Sequence, residues 1–331
     1  MTPPLGERLA RLARDGEPGS TVLVTSHDET STSVVAVLLD AAGDPRLVAK
    51  LPRLPDTRDG IVREAAVLRE IQARQSTATV PSVVELLSTE AETMLVETAL
   101  VGKTITPTEL RRRPRRAVRD VLRWLSELPE PGPEPADFDL LVERPLALLE
   151  AALPPEAPER TLATRTRAAV EPLRRARLPA VVEHGDLSHP NLIRLRDGRV
   201  GVVDWELAET AGLPLCDLCF FLAYVATSRR RARTPEELAA AFDEAFASPD
   251  AWARAPLLSY VRRIGLDPPL TAPLLAATWG RYVVRIVARV EGSAELAAPI
   301  SKIALEALRR SPHRVLWEHV LEAPPRFDRE S

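Results

Sequence analysis

Asn191 is the only asparagine in the chain, and it closes the stretch His184-Gly185-Asp186-Leu187-Ser188-His189-Pro190-Asn191. A hairpin-like segment follows and ends at Asp204-Trp205-Glu206. The composition has almost eliminated asparagine, yet it keeps one shortly after an aspartate, with a second aspartate just beyond the next strand. The grouping supplies what phosphoryl transfer requires. One carboxylate can orient a hydroxyl and accept its proton, and two oxygen ligands can hold magnesium on nucleotide phosphates. Gly, Asp, Pro and Asn also populate ordinary turns, but the spacing to Asp204 and the intervening hairpin fit the chemical reading.

Lysine is scarce as well. Among 44 basic residues only Lys50, Lys103 and Lys302 are lysines. An ammonium is a compact point charge that a guanidinium does not replace on a phosphate, so Lys50 stands out on a strand-like segment. A helix spanning about Thr57 to Gln75 puts Ile61, Glu64, Ala65, Leu68 and Ile71 on one face. Glu64 is the anomaly on that apolar stripe. A buried carboxylate is costly unless paired, and Lys50 is the available cation. A plain structural ion pair is the alternative. Glu70 and Arg63 lie on the opposite face and read as solvated charges.

The elements around these residues come next. Thr21–Thr25, Ser33–Leu39 and Leu47–Leu51 read as an antiparallel meander, and Val83–Leu87 and Met94–Glu97 as two more strands. The segment from Thr98 to Gly102 reads as a connector, which divides the chain into residues 1–101 and 102–331. Beyond it the pattern is helical, except for two short strands flanking Arg196-Asp197-Gly198-Arg199, a hairpin signal.

Composition excludes several classes. With 45% hydrophobic and 27% charged residues the chain is globular, not disordered. A net charge of −3 argues against a dedicated nucleic-acid surface. The run Arg111–Arg116 lacks interleaved aromatics and reads as a solvated helix start. The longest apolar run, Leu218 to Ala226, is less than half a membrane span, so a cytoplasmic protein is expected. Cys216 and Cys219 form a C-x-x-C, either a redox pair or two small apolar thiols one helical turn apart. The surroundings favour the thiols.

Together Lys50, Glu64, the H-G-D-x-x-x-x-N loop and D-W-E resemble the aminoglycoside phosphotransferase and choline kinase family, small-molecule relatives of the protein kinases. The resemblance spans about residues 21 to 226. It implies an α+β, protein-kinase-like fold of two lobes: an antiparallel sheet with one helix, then a mostly helical lobe. It implies ATP and Mg²⁺ as cofactors and a small hydroxylated molecule as phosphoryl acceptor. By the same resemblance Asp186 is the catalytic aspartate, Asn191 and Asp204 are the magnesium ligands, and Lys50 with Glu64 holds the nucleotide phosphates. His184 braces the loop and Asp217 hydrogen-bonds it from a helix. Glu97 to Ala99 offers backbone groups to adenine. His27 and His189 read as solvated loop residues.

The chain departs from the family pattern in two places. The loop reads L-S-H-P-N where a His commonly follows D-L and a Gly precedes the Asn. A glycine-rich phosphate loop is missing, so Ser31 and its neighbours from Ser26 to Ser33 would have to serve with hydroxyls and backbone N–H groups. Arg281, Arg285 and Arg289 share one helical face, which favours a neutral or anionic substrate over a polycationic one; an exposed helix face is the alternative. Protein-kinase-like activity is disfavoured by the lack of an A-P-E segment after Asp204. A non-catalytic scaffold is disfavoured by the intact motifs.

Overall fold

Alternation of apolar residues builds the first layer of the protein, a computed structural model that describes residues 20–24, 33–53, 57–89, 92–291, 296 and 299–327. Five antiparallel strands form one sheet: β1 (Thr21–Val24), β2 (Ser33–Leu39), β3 (Pro45–Pro52), β4 (Val83–Ser88) and β5 (Thr93–Thr98). Their order is β1-β2-β3-β5-β4. Ala36, Leu38, Leu47, Ala49, Met94 and Val96 cluster on one face. Helix α1 (Arg58–Ala73) covers the other, where Ile61 and Ala65 meet Leu95.

Register decides where Lys50 points. It pairs with Val35 on β2 and Leu95 on β5. Cross-strand partners share a face, so Lys50 lies beside Leu95 on the side that α1 covers. A slip of one residue would carry the ammonium to the opposite face. The expected five strands and helix are present, with ends differing by a residue or two.

After β6 (Gly102–Thr104) the chain is mainly helical: α2 (Pro107–Arg112), α3 (Pro114–Glu127), α4 (Arg144–Ala152), α5 (Glu159–Arg174), α6 (Cys216–Arg230), α7 (Pro235–Phe246), α8 (Arg254–Arg263), α9 (Thr271–Val290), α10 (Lys302–Arg310) and α11 (Pro312–Glu322). The core includes the fully buried Trp124, Trp205, Trp279 and Trp317. Helix α9 packs on α5, α6, α10 and α11. Arg113-Pro114 splits the arginine run between α2 and α3, since a proline is tolerated only in a helix's first turn. Arg111 is therefore not a helix start but the last turn of α2.

The hairpin is β8 (Leu192–Leu195) and β9 (Val200–Val202), and β6 adds to it through β8. A further pair, β7 (Val181–Glu183) with β10 (Glu209–Gly212), carries the chain into and away from the loop of interest. The expectation of helices alone around the hairpin is thus corrected: β6, β7 and β10 are strands of three or four residues, too short to show alternation. Cys216 and Cys219 are free and buried in α6. Among the described residues no helix is long and apolar enough to cross a membrane.

Candidate active site

The sheet residue Lys50 and the helix residue Glu64 meet under the sheet, with Lys50 Nζ donating to Glu64 Oε1 at 2.6 Å. Both side chains are buried. The same ammonium lies 3.5 Å from Asp204 Oδ1 in the helical lobe and 3.8 Å from Glu97 Oε1 on β5. Burial alone would lower the Lys50 pKa, but Glu64, Glu97 and Asp204 outweigh it and hold the ammonium well above its usual range. Burial, opposed by Lys50 and reinforced by Asp204, leaves Glu64 above the ordinary carboxyl range. The lysine keeps the proton of this pair.

Trp205, next to Asp204, donates its backbone N–H to the same Glu64 Oε1 at 2.9 Å. Its indole N–H reaches the Val202 carbonyl, and its ring packs edge-on against His184 at 4.8 Å. Asp204 itself is held with φ at +70°, a left-handed backbone that short polar residues tolerate best. The turn leaves its side chain 43% exposed. Burial would raise the Asp204 pKa; Lys50, His184 and Arg289 together pull it below the ordinary range.

The loop from His184 to Asn191 is braced from below. Asp217, in the first turn of α6, accepts the N–H groups of His184 at 2.6 Å and Gly185 at 2.9 Å. Gly185 has φ of +83°, and a Cβ there would lie 2.5 Å from the Leu207 carbonyl oxygen. Only glycine fits. The Asp186 N–H points to His184 Nδ1 at 3.2 Å, which makes that nitrogen an acceptor. His184 Nε2 therefore carries the hydrogen and donates to the Val203 carbonyl at 3.0 Å. Burial lowers the His184 pKa, in keeping with a neutral ring.

Asn191 Nδ2 donates to the Asp186 carbonyl at 2.9 Å and lies 3.5 Å from Asp186 Oδ2. With the amide nitrogen occupied, its Oδ1 accepts no hydrogen bond among the described residues. Asp186, Asn191 and Asp204 are hard oxygen donors, the set that suits magnesium. Asp186 Oδ1 accepts the phenol hydrogen of Tyr282 on α9 at 3.2 Å. Burial raises the Asp186 pKa, Asp204 repels in the same direction, and His184, Arg289 and Tyr282 oppose.

Several expected residues have partners of their own, and two are not described. Glu97 lies inside β5, paired with both Val48 and Val83, and its buried carboxyl turns toward Lys50. Ala99 gives its N–H to the Arg46 carbonyl at 2.9 Å, continuing the β3–β5 ladder, so that donor is not free for a base. Ser31 and His27 lie outside the described residues. His189 is half-buried and stacked on Tyr224, with ring centroids 5.1 Å apart, instead of being solvated. Arg63 Nη1 approaches the Glu206 carbonyl at 3.5 Å.

The α9 arginines face inward. Arg281 is 5% exposed and donates to both oxygens of Glu183 at 2.9 and 2.8 Å. Arg285 bonds Glu183 and the Gly185 carbonyl, each at 3.2 Å, and Arg289 pairs with Glu206 at 3.1 Å. These arginines brace the loop and do not form an exposed helix face. Sequence reasoning missed Tyr282; nothing about a single tyrosine in Trp279-Gly280-Arg281-Tyr282 singles it out.

Glu97 yields a stability prediction. Burial, with Glu64 and Asp204 repelling, pushes its carboxyl up to about 8. A carboxyl raised by folding stabilises the fold while protonated, and that contribution fades as pH climbs through the folded value. Between about pH 5 and about pH 9 Glu97→Gln should therefore lose less unfolding free energy than the parent. Urea titrations at both pH values test this; parallel losses would count against it.

Comparison with known proteins adds the following. Residues 24–258 match the model of the phosphotransferase enzyme family. No curated protein is significantly similar in sequence. Among solved structures, a choline/ethanolamine kinase family protein from Mesorhizobium loti is similar, with a TM-score of 0.54 and 18% identity over 96% of this chain and 98% of that one. The aminoglycoside phosphotransferase APH(4)-Ia, as a thermostable mutant with ADP and hygromycin B, gives a TM-score of 0.54 and 15% identity over 91% and 94% of the two chains. An ethanolamine kinase from Plasmodium vivax gives 0.53 and 10% over 91% and 82%. At these identities the likeness shows the fold: an antiparallel sheet lobe and a helical lobe shared with the kinases.

Proposed function

The chain belongs to the phosphotransferase enzyme family, and from that premise we propose that it is an ATP- and Mg²⁺-dependent kinase that phosphorylates a hydroxyl of a small molecule. One observation carries the reading: Lys50 of the sheet lobe lies 3.5 Å from Asp204, in the lobe that also holds Asp186 and Asn191. That is the cross-lobe arrangement a nucleotide's phosphates need, a cation above and oxygen ligands below.

In this reading Lys50, steadied by Glu64, holds the α- and β-phosphates. Asn191 and Asp204 would hold the divalent ion, which would neutralise charge on the transferred group. Ser31 and its neighbours would cover the phosphates, and the connector after Glu97 would receive the base, with the lobes dividing between residues 101 and 102. Asp186 orients the acceptor hydroxyl. The hydroxyl oxygen forms the new P–O bond, the γ-phosphorus parts from the β,γ-bridging oxygen, ADP leaves, and the proton passes to Asp186.

A panel of hydroxylated metabolites and antibiotics, scored for acceptor-dependent ADP release with magnesium, tests the proposal. Release with at least one acceptor is expected. A folded chain that binds no Mg·ATP and releases no ADP with any acceptor would overturn it.

Tyr282 gives a finer prediction. Its hydroxyl stabilises the ionised form of Asp186. Tyr282→Phe should raise the Asp186 pKa and move the acid limb of the kcat–pH profile to higher pH. An unmoved limb would remove Tyr282 from the site.

A further inference from the structure

Next to Tyr282 the helical lobe holds a cavity of about 540 Å³, walled by α2, α6, α9 and α11. Its charged lining residues are Arg111, Arg231 and Arg233, and no aspartate or glutamate lines it. Arg111 keeps one hydrogen bond, to Thr108 Oγ1. Arg231 has no carboxylate within ion-pair distance among the described residues. Glu237 lies near Arg233, but its carboxylate is committed to the backbone N–H groups of Arg233 and Thr234 at the start of α7.

The cavity is backed on one side by a wall of packed, buried aromatic rings. Phe220 and Trp279 flank His313, with ring centroids 5.4 and 5.8 Å away, both in stacked orientation. The Tyr282 ring stacks on Phe220 at 4.3 Å and carries its hydroxyl to Asp186. The aromatic wall thus runs from the cavity to the carboxylate. Trp279 is 1% exposed, and its indole N–H is buried without an acceptor. His313 Nδ1 is likewise buried without a partner. Burial lowers the imidazole to about 4, so the ring adds no charge at neutral pH.

We infer that this cavity is the acceptor subsite and that it selects an anionic, hydroxylated molecule. A carboxylate or phosphate of that molecule reaches the Arg111, Arg231 and Arg233 rim. The hydroxyl extends past Tyr282 toward Asp186. Guanidinium forks match either anion in a planar, bidentate way. A polycation would instead meet three like charges, with only Glu237 beside Arg233 to offset them among the described residues. The fate of the hydroxyl rests on the phosphotransferase reading above; the charge selection does not.

Three probes with one ring and one hydroxymethyl group isolate the charge: 4-(hydroxymethyl)benzoate, its neutral amide, and the cationic 4-(aminomethyl)benzyl alcohol. Calorimetric titration of the full chain should show the benzoate binding at least about tenfold tighter than the cation, with the amide between. Arg231→Glu, an exposed position safe for folding, should abolish or invert that order. The corresponding phenyl phosphate, if tighter than the benzoate, identifies phosphate as the preferred anion; if weaker, carboxylate.

Equal affinity across the trio, tighter binding of the cation, or no saturable benzoate binding at millimolar concentration would each overturn the proposal. ADP release is scored separately. Charge-ordered binding in a chain that never releases ADP would sink the phosphotransferase reading and leave the anion subsite standing. Turnover without charge order would do the reverse.

Discussion

Replacing Asp186 by asparagine should lower turnover by roughly 10²–10⁴-fold, the usual contribution of a positioned proton acceptor, while Mg·ATP affinity stays near that of the parent. The substitution is close to isosteric. The carbonyl and N–H of residue 186 continue to engage Asn191 and His184, and the Gly185 turn above Asp217 is untouched. What disappears is a carboxylate that accepts the Tyr282 phenol and stands ready for a second hydroxyl. The size of the loss therefore reports orientation and proton acceptance, not folding. Single-turnover kinetics with saturating acceptor, beside nucleotide binding by titration, separate the two. Full turnover in the asparagine variant would strip Asp186 of its role.

Arg281→Met should destabilise the fold by about 3–5 kcal/mol, the cost of stranding one partner of a buried ion pair. Glu183 is 1% exposed and keeps only Arg285 and the Leu213 N–H, the latter at 3.0 Å, once Arg281 is gone. Gly212 shows how closely the site is built: a Cβ there would come within 2.4 Å of the Glu183 Cβ. Burial would raise the Glu183 pKa, yet Arg281 and Arg285 hold it below the ordinary carboxyl range. A carboxylate depressed in this way contributes stability that is present above its unfolded pKa and lost as pH falls through the folded value. The parent should therefore lose stability steeply on the acid side, and the methionine variant less so. Denaturant titration measures the loss, and adding Glu183→Gln to Arg281→Met should recover part of it. A single variant as stable as the parent would mean that Glu183 is satisfied without Arg281.

Much of this is legible in the sequence. Period-two and period-3.6 patterns located the five-stranded sheet and α1. The anomaly of a carboxylate on an apolar stripe predicted the Lys50–Glu64 pair found at 2.6 Å. The composition marked Asn191, and the structure brings it 3.5 Å from an Asp186 oxygen. What stayed hidden depends on partners distant in the chain. Helical periodicity puts Arg281, Arg285 and Arg289 on one face, but it does not reveal that this face looks onto Glu183 and Gly185. Ala99 sits in a connector by composition, yet its N–H extends a ladder whose partner, Arg46, is defined only by strand register. Likewise β6, β7 and β10 owe their pairing to neighbours, not to their own few residues.

Glu64 Oε1 is gripped from both halves of the molecule, by the Lys50 ammonium above and the Trp205 amide below. It works as a latch pin. Swinging α1 outward would rob both donors of their acceptor together and leave a buried N–H unanswered. The helix and the Asp204-Trp205 turn are therefore tied through a single oxygen, and neither can shift there without straining the other.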